Sequence, residues 1–393
     1  MEKAKLEALT QKYLDEVVEA RRYIHAHPEL SWKEQGTQNY LMEALRRHGI
    51  ECDGNFEGTA VVGMIRGGKP GRTVALRADM DALPVNEATG CPYSSQNPGV
   101  MHACGHDVHT TGLLGAAFLL QDLREELPGN VKLIFQPAEE GGATQCGAQV
   151  LVEKGILDGV DAIFSSHVFP TVPLGQVGIR DREMMAGVDI FRLKIHGTGG
   201  HLSTPHQARS ALYPAVQFMN EISVLRTQAV NPFDTAIIDT GYFHCGTAEN
   251  IIPSEAEIVG NVRAYNDELR LELKRRMEGI VRGLESAFEV KCDYEHKFGY
   301  DSLINDPAMA AVCRTACSEI FGAENILAPE PSMGSEDFAF YLKKVKGAFV
   351  WLGVGDGEGG SNALHTPNFY PSEKALPLAM QMLANIAVTY LNS

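Results

Sequence analysis

The 393-residue chain reads as an α/β protein with a mostly parallel sheet, into which a smaller α+β domain of ferredoxin-like βαββαβ order is inserted. Three observations carry that reading. Short, almost continuously apolar runs alternate with helical stretches up to about residue 183, as expected for strands covered on both faces. Near residue 184 the apolar pattern changes to strict alternation, the period of a strand with one buried face. The length also exceeds what one hydrophobic core usually holds, which favours two domains.

In the first part, "TAVVGMIRGG" and "TVALRADMDA" are apolar runs of strand length. "VHTTGLLGAAFLLQDLREEL" is long enough, and rich enough in Leu and Ala, to be a helix. "NVKLIFQP" is a strand stopped by Pro137, "CGAQVLVEKGIL" a helix and "VDAIFSSH" a further strand. In the inserted part, "VDIFRLKIHG" alternates Phe191, Leu193 and Ile195 with Arg192, Lys194 and His196. A helix ("ARSALYPAVQFMNEISVLRTQ") and two strands ("TAIIDTGYFHC", "AEIVGNVRAY") follow. The next helix places Leu273, Met277, Ile280, Leu284 and Phe288 on one face, and "FEVKCDYEH" closes the unit. The chain then returns to α/β character and ends in the helix "ALPLAMQMLANIAVTYL". The expected domains are therefore 1–183 with 297–393, and 184–296.

Charge and composition exclude several classes of function. The net charge of −16 opposes binding to a phosphate backbone, and no basic stripe exists to offset it. No apolar run reaches the roughly 18 residues of a membrane span. The N-terminal "MEKAKLEALTQKYLDEVV" is charged throughout and lacks a signal-peptide core. Eight cysteines without a CxxC spacing read as reduced thiols, so the cytoplasm is the expected compartment.

The unusual polar residues fall where an open α/β sheet builds its sites, beyond the carboxyl ends of strands. Asp79 and Asp81 end one strand, Glu139 and Glu140 follow another, and His167 ends a third. His365 lies in a loop after the strand "GAFVWLGVG", and "MHACGHDVHT" sets Cys104 and His106 in a loop before a long helix. Thiolate, imidazole and carboxylate together are the ligand set of zinc and related divalent ions. The i, i+2 spacing lets Cys104 and His106 point the same way from an extended segment. Adjacent glutamates point different ways from extended backbone, which allows one to act as ligand and the other as base. Each residue also has a plain structural reading: a hydrogen-bonded strand-end histidine, a solvated Glu-Glu pair, an Asp capping a turn, and His102 and His109 as nonligands. Their joint occurrence favours a site. "HGTGGHL" fails as a dinucleotide motif because Leu202 replaces the third glycine, and no GxSxG elbow exists. A Cys104 nucleophile stays open at this point.

Nearly the whole chain resembles the M20 metallopeptidase and amidohydrolase family, in the branch of N-acyl-amino acid, hippurate and indoleacetyl-amino acid hydrolases. The motifs in order are "RRYIHAHPELSWKE", "LRADMDALPVNE", "MHACGHDVH", "FQPAEEGG", "SSHVFP", "GTGGHLSTPH", "AENIIPSEAEIVGNVRAYNDELR", "MGSEDFAFY" and "ALHTPNFY". The resemblance implies two divalent ions (manganese or zinc, with cobalt or nickel as alternatives) held by Cys104, His106, Glu140, His167 and His365. Glu139 would be the general base and Asp81 a residue beside the metals. Asp79 stands where other branches carry a metal-binding His, and Cys104 supplies the extra ligand. His201 would polarise the scissile carbonyl, from the same chain or from a partner subunit. Asn250 and Arg263 match substrate-binding positions, with Arg263 suited to a free carboxylate. The inserted domain would mediate homodimerisation. Ser210 and Ala211 depart from the Asp-Pro pair usual in this branch, away from the metal residues. The implied activity is metal-dependent cleavage of N-acylated amino acids to a carboxylic acid and a free amino acid. A peptidase of the same fold, a Cys104-nucleophile hydrolase and a noncatalytic metal-binding protein are the alternatives.

Overall fold

The computed structural model describes residues 3–142 and 146–393, and its contacts divide the chain into two units. The first runs to Met184 and resumes over Ile304–Glu330 and Asp337–Ser393; the second is Met185–Leu303 with Pro331–Glu336. The expected limits need two corrections. A boundary after 296 would cut the strand Lys291–Phe298, which pairs with Gly187–His196 through to Phe298. The segment Pro331–Glu336 joins the second unit because Ala186 N–H bonds to Ser332 O and Gly334 O, while Tyr265 donates to Pro331 O.

The first unit is built on an eight-stranded sheet. Its centre is four parallel strands in the order Pro128–Gln136, Lys69–Asp79, Ala162–Pro173, Lys346–Gly355. Val61–Arg66 joins Pro128–Gln136 antiparallel on one side. The helix His106–Asp122 is buried from His106 to Leu120, because helices Lys3–Ala26 and Ala375–Leu391 join it in one core with the sheet. Gly112 allows the C-terminal helix to approach closely: a Cβ there would lie 2.7 Å from that of Ala379. The helix expected over "CGAQVLVEKGIL" is short, Gly147–Glu153.

The second unit is a four-stranded antiparallel sheet in the order Ala236–Cys245, Glu255–Ala264, Gly187–His196, Lys291–Phe298. With helices Leu212–Ala229 and Asp267–Phe288 it has the expected βαββαβ order. Phe191, Leu193 and Ile195 face the core shared with both helices. Asn266 caps the second helix by accepting from the Glu268 and Leu269 N–H groups. Of the expected stripe, Leu273, Met277 and Leu284 are buried, Val281 joins them, and Ile280 and Phe288 are half-buried at its margin. All eight cysteines are free. No helix among the described residues is long and apolar enough to cross a membrane.

Candidate metal centre

The centre starts where the strand Lys69–Asp79 ends. Asp79 and Asp81 are both fully buried, so each needs donors. Asp79 accepts from Arg77 Nη1 at 2.7 Å and His109 Nδ1 at 2.6 Å. Asp81 accepts four hydrogen bonds: from the Ser31 hydroxyl (2.6 Å), His106 Nδ1 (3.2 Å) and the main-chain N–H groups of Glu139 (3.1 Å) and Glu140 (3.0 Å). Burial pushes Asp81 up, but His106, Ser31 and the Glu140 N–H outweigh it and hold the carboxyl below its usual range. One carboxylate thus ties an imidazole to the paired glutamates.

The glutamates do not lie in extended backbone. Ala138 adopts a left-handed conformation (φ 54°), and Glu139–Gly141 form a 3₁₀ turn. Their side chains diverge because successive residues of that turn are about 120° apart, not because of a pleat. A non-glycine residue at positive φ is held only when its surroundings over-determine it. Here Glu34 Oε1 accepts the Ala138 N–H at 2.9 Å, and Ala138 O accepts the Gly147 N–H at 2.9 Å.

Cys104 and His106 also lie outside extended backbone. Gly105 between them is left-handed (φ 85°), and His106 opens the helix His106–Asp122. A side chain at Gly105 would be strained by this φ and would meet Val168 Cγ2 at 2.4 Å. The turn, rather than i, i+2 alternation, aims the two side chains.

His167 does not end its strand, which continues to Pro173. It is exposed to the centre because pairing with the strand Lys69–Asp79 stops at Ser165. Its Nδ1–H donates to Val168 O at 2.6 Å, leaving Nε2 3.3 Å from Cys104 Sγ. His365 reaches the same sulfur with Nε2 at 3.2 Å and Glu140 Oε1 at 3.1 Å. His365 has φ 63°, and its N–H donates to Ala103 O at 2.8 Å.

The donors fall into overlapping groups, among them Cys104, His106, His167; Cys104, Glu140, His365; and His106, Glu139, Glu140, with ligand atoms within 4.8 Å in each. This donor set fits divalent cations. His106 Nε2 is buried without a hydrogen-bond partner, while its Nδ1 is held by a carboxylate, as in metal-ligating histidines. Burial and the charges of Glu140, Glu139 and Asp79 push the Cys104 thiol well up. A nearby cation reverses that effect by favouring the thiolate, whereas a cysteine nucleophile needs a lowered value. Burial, with His109 next, pulls His167 well down, and with Nδ1–H donating to Val168 O its Nε2 lone pair faces Cys104 Sγ. His109, by contrast, uses both nitrogens, since Nε2 accepts the Val168 N–H at 2.8 Å.

The other candidate residues lie in the second unit. His201 is exposed and pairs with Ile251 in a two-stranded ribbon. Its Nδ1 accepts the Ser203 N–H at 3.1 Å, so in the neutral ring the proton sits on Nε2, free to donate. The Asn250 carbonyl accepts the Leu202 N–H at 3.1 Å, next to His201. Arg263 is half-buried, donates to Met333 O at 2.7 Å, and has no carboxylate partner among the described residues. Burial holds its guanidinium below the usual arginine range.

Two supports have almost no signature in the sequence. Arg77 and Gln136 bind Asp337, whose N–H faces Glu139 Oε1 at 3.4 Å. Glu34, fully buried, accepts from Ala138, Trp32 and Thr59. Charged residues in otherwise apolar or turn segments, as in "LRADMD" and "ELSWKE", are the only signal of either.

A mostly parallel sheet carrying this thiol, imidazole and carboxylate cluster, with a separate βαββαβ unit, defines a metal-dependent hydrolase. The chain belongs to peptidase family M20/M25/M40, whose pattern matches residues 75–389. It is 37% identical over 378 residues to N-acetyl-L-cysteine deacetylase of Bacillus subtilis, covering 96% of this chain and 89% of that protein. It is 38% identical over 381 residues to thermostable carboxypeptidase 1 of Saccharolobus solfataricus, covering 96% of each. Among solved structures, the YXEP protein of Bacillus subtilis, described as a dinuclear metal-binding peptidase of the M20 family, superimposes with a TM-score of 0.84. That match has 34% identity and covers 97% of this chain and 99% of the other.

Proposed function

We propose that the protein hydrolyses N-acylated amino acids at a centre of two divalent ions, manganese or zinc, held by Cys104, His106, Glu140, His167 and His365. The observation that carries this reading is the convergence of those five donors around Cys104 and Glu140, with Glu139 beside them. When bound, the cations supply Lewis acidity and lower the pKa of water. Glu139 takes the proton of the attacking water and passes it to the leaving amine. His201 donates its Nε2–H to the carbonyl oxygen as negative charge grows there. Arg263 grips the substrate carboxylate bidentately, and Asn250 contributes a further polar contact. A deacetylase and a carboxypeptidase among the relatives support a substrate with a free carboxylate on the leaving amino acid. The second of them favours peptides as the alternative substrates.

Chelation followed by metal restoration, assayed on acetyl, benzoyl, indoleacetyl and long-chain acyl amino acids beside dipeptides, tests the reading. Activity should vanish with the metal and return with it, strongest on acyl amino acids. Full activity in chelator would instead support a thiol enzyme. Arg263→Ala should raise KM for free-acid substrates far more than for the corresponding amides. Equal losses on both sets would leave Arg263 with only its structural bond to Met333 O.

The cytoplasm and a homodimer complete the proposal, supported by eight free thiols and by the edge strand Ala236–Cys245, which exposes Ile237, Tyr242 and Phe243. Such an edge favours pairing with another copy. Light scattering at micromolar concentration should give twice the chain mass; a monomer there would remove this part.

A further inference from the structure

Away from the Cys104 cluster, His25, Glu87 and Cys91 form another group whose ligand atoms all lie within 4.8 Å of one another. We propose that these three residues bind a zinc ion or a divalent cation of similar softness, with water in the fourth position. This site stands independently of the hydrolase reading.

The spacing is the first argument. His25 Nε2 lies 3.3 Å from Glu87 Oε1, and Cys91 Sγ lies 3.7 Å from the same oxygen. A tetrahedral zinc with its usual bond lengths sets the corresponding separations at about 3.3 Å and about 3.6 Å. The two edges that meet at Glu87 Oε1 therefore already have the lengths of a zinc tetrahedron, and the third donor pair lies within 4.8 Å.

The surroundings are the second. The His25 and Glu87 side chains are only 1% and 4% exposed. Asp107 Oδ2 accepts the His25 Nδ1–H at 2.8 Å, which turns Nε2 toward the cluster, and Arg21 Nε fixes that carboxylate at 2.8 Å. A carboxylate behind a ligating imidazole is the usual support of a metal-bound histidine. Glu87 is held in turn by the Ser95 N–H at 2.6 Å and by the Thr89 hydroxyl. Ser94 Oγ lies 3.5 Å from Cys91 Sγ. Cys91 is only half-buried, which leaves room for water. A thiolate with an imidazole selects zinc over magnesium or calcium.

Such an ion would staple residues 87–91 to the helix Lys3–Ala26, which carries His25. The stapled segment lies within the stretch closed by the Leu83–Met101 pairing, just before Cys104. The same spacing also suits a doubly protonated His25 that donates Nδ1–H to Asp107 and Nε2–H to Glu87, so the experiment must separate cation from proton.

In Cys104→Ser protein, which lacks the other thiolate ligand, cobalt titration should still give a thiolate-to-cobalt charge-transfer absorption, with a final amplitude of one thiolate-bound cobalt per chain. Adding Cys91→Ser should abolish it. In the otherwise unaltered chain, elemental analysis after zinc equilibration should show one ion fewer per chain for Cys91→Ser, and Cys91→His should restore it. Equal zinc content in the unaltered chain and Cys91→Ser would overturn the proposal in favour of the proton. Thiolate absorption that persists without Cys91 would overturn it as well. The zinc count needs no Cys104 variant, so poor folding of that variant leaves the proposal testable.

Discussion

Glu139→Gln should lower kcat by about 10²–10⁴-fold while metal content stays at the level of the unaltered protein. The Glu139 main-chain N–H, not its side chain, bonds to Asp81, so the turn survives the substitution. Gln keeps the length and shape of the side chain but cannot accept the proton of water. Glu140→Gln should behave differently. Glu140 Oε1 stands 3.1 Å from His365 Nε2, and exchanging an anionic ligand for a neutral one should lower metal affinity together with rate. Elemental analysis beside kcat for both variants decides the matter. Metal lost from Glu139→Gln and kept in Glu140→Gln would reverse the two roles.

Asp81→Asn should be nearly as severe, though Asp81 is not placed to touch substrate. Its two oxygens accept from Ser31, His106 and two main-chain N–H groups, and an amide offers one oxygen for them. The amide NH₂ would then face donors, each left unsatisfied at about 1–3 kcal/mol. Metal affinity should fall by about 10–100-fold, as for other partners of metal-ligating histidines, and kcat at saturating metal should fall because the Glu139 turn shifts. Unchanged metal affinity and kcat, with only a lower Tm, would leave Asp81 with a purely structural role. The pH dependence has a definite sign. The native carboxyl lies below its ordinary value of 3.8, so its contribution to stability is full above that value and is lost as pH falls through the native one.

Much of the fold and of the site is legible in the residues themselves. Binary patterning is local, so the strands "VALRADMD" and "LIFQP", the helix after Cys104 and the change of period near 184 announce themselves. So does the side-chain chemistry at the strand ends, because thiol, imidazole and carboxylate at those places have little packing purpose. Two local inferences fail for one reason. The spacings of Cys104–His106 and Glu139–Glu140 suit extended backbone, yet both pairs are turned by left-handed residues, Gly105 and Ala138. Gly105 is in principle recognisable; Ala138 carries no such mark, because its φ is imposed by Glu34 from 104 residues away.

The sequence by itself determined the two kinds of layer, the family motifs and the pool of possible ligands, since these depend on residue type and short-range period. Only the tertiary structure decided which members of the pool meet. His365 reaches Cys104 across 261 residues. His106 and His109 lie one helical turn apart and look equivalent in "CGHDVH". The fold separates them: Val168 N–H occupies His109 Nε2, whereas His106 Nε2 remains buried without a hydrogen-bond partner. A ring nitrogen can ligate only if no donor has already taken its lone pair, and in His109 that donor comes from the neighbouring strand Ala162–Pro173, brought there by the fold.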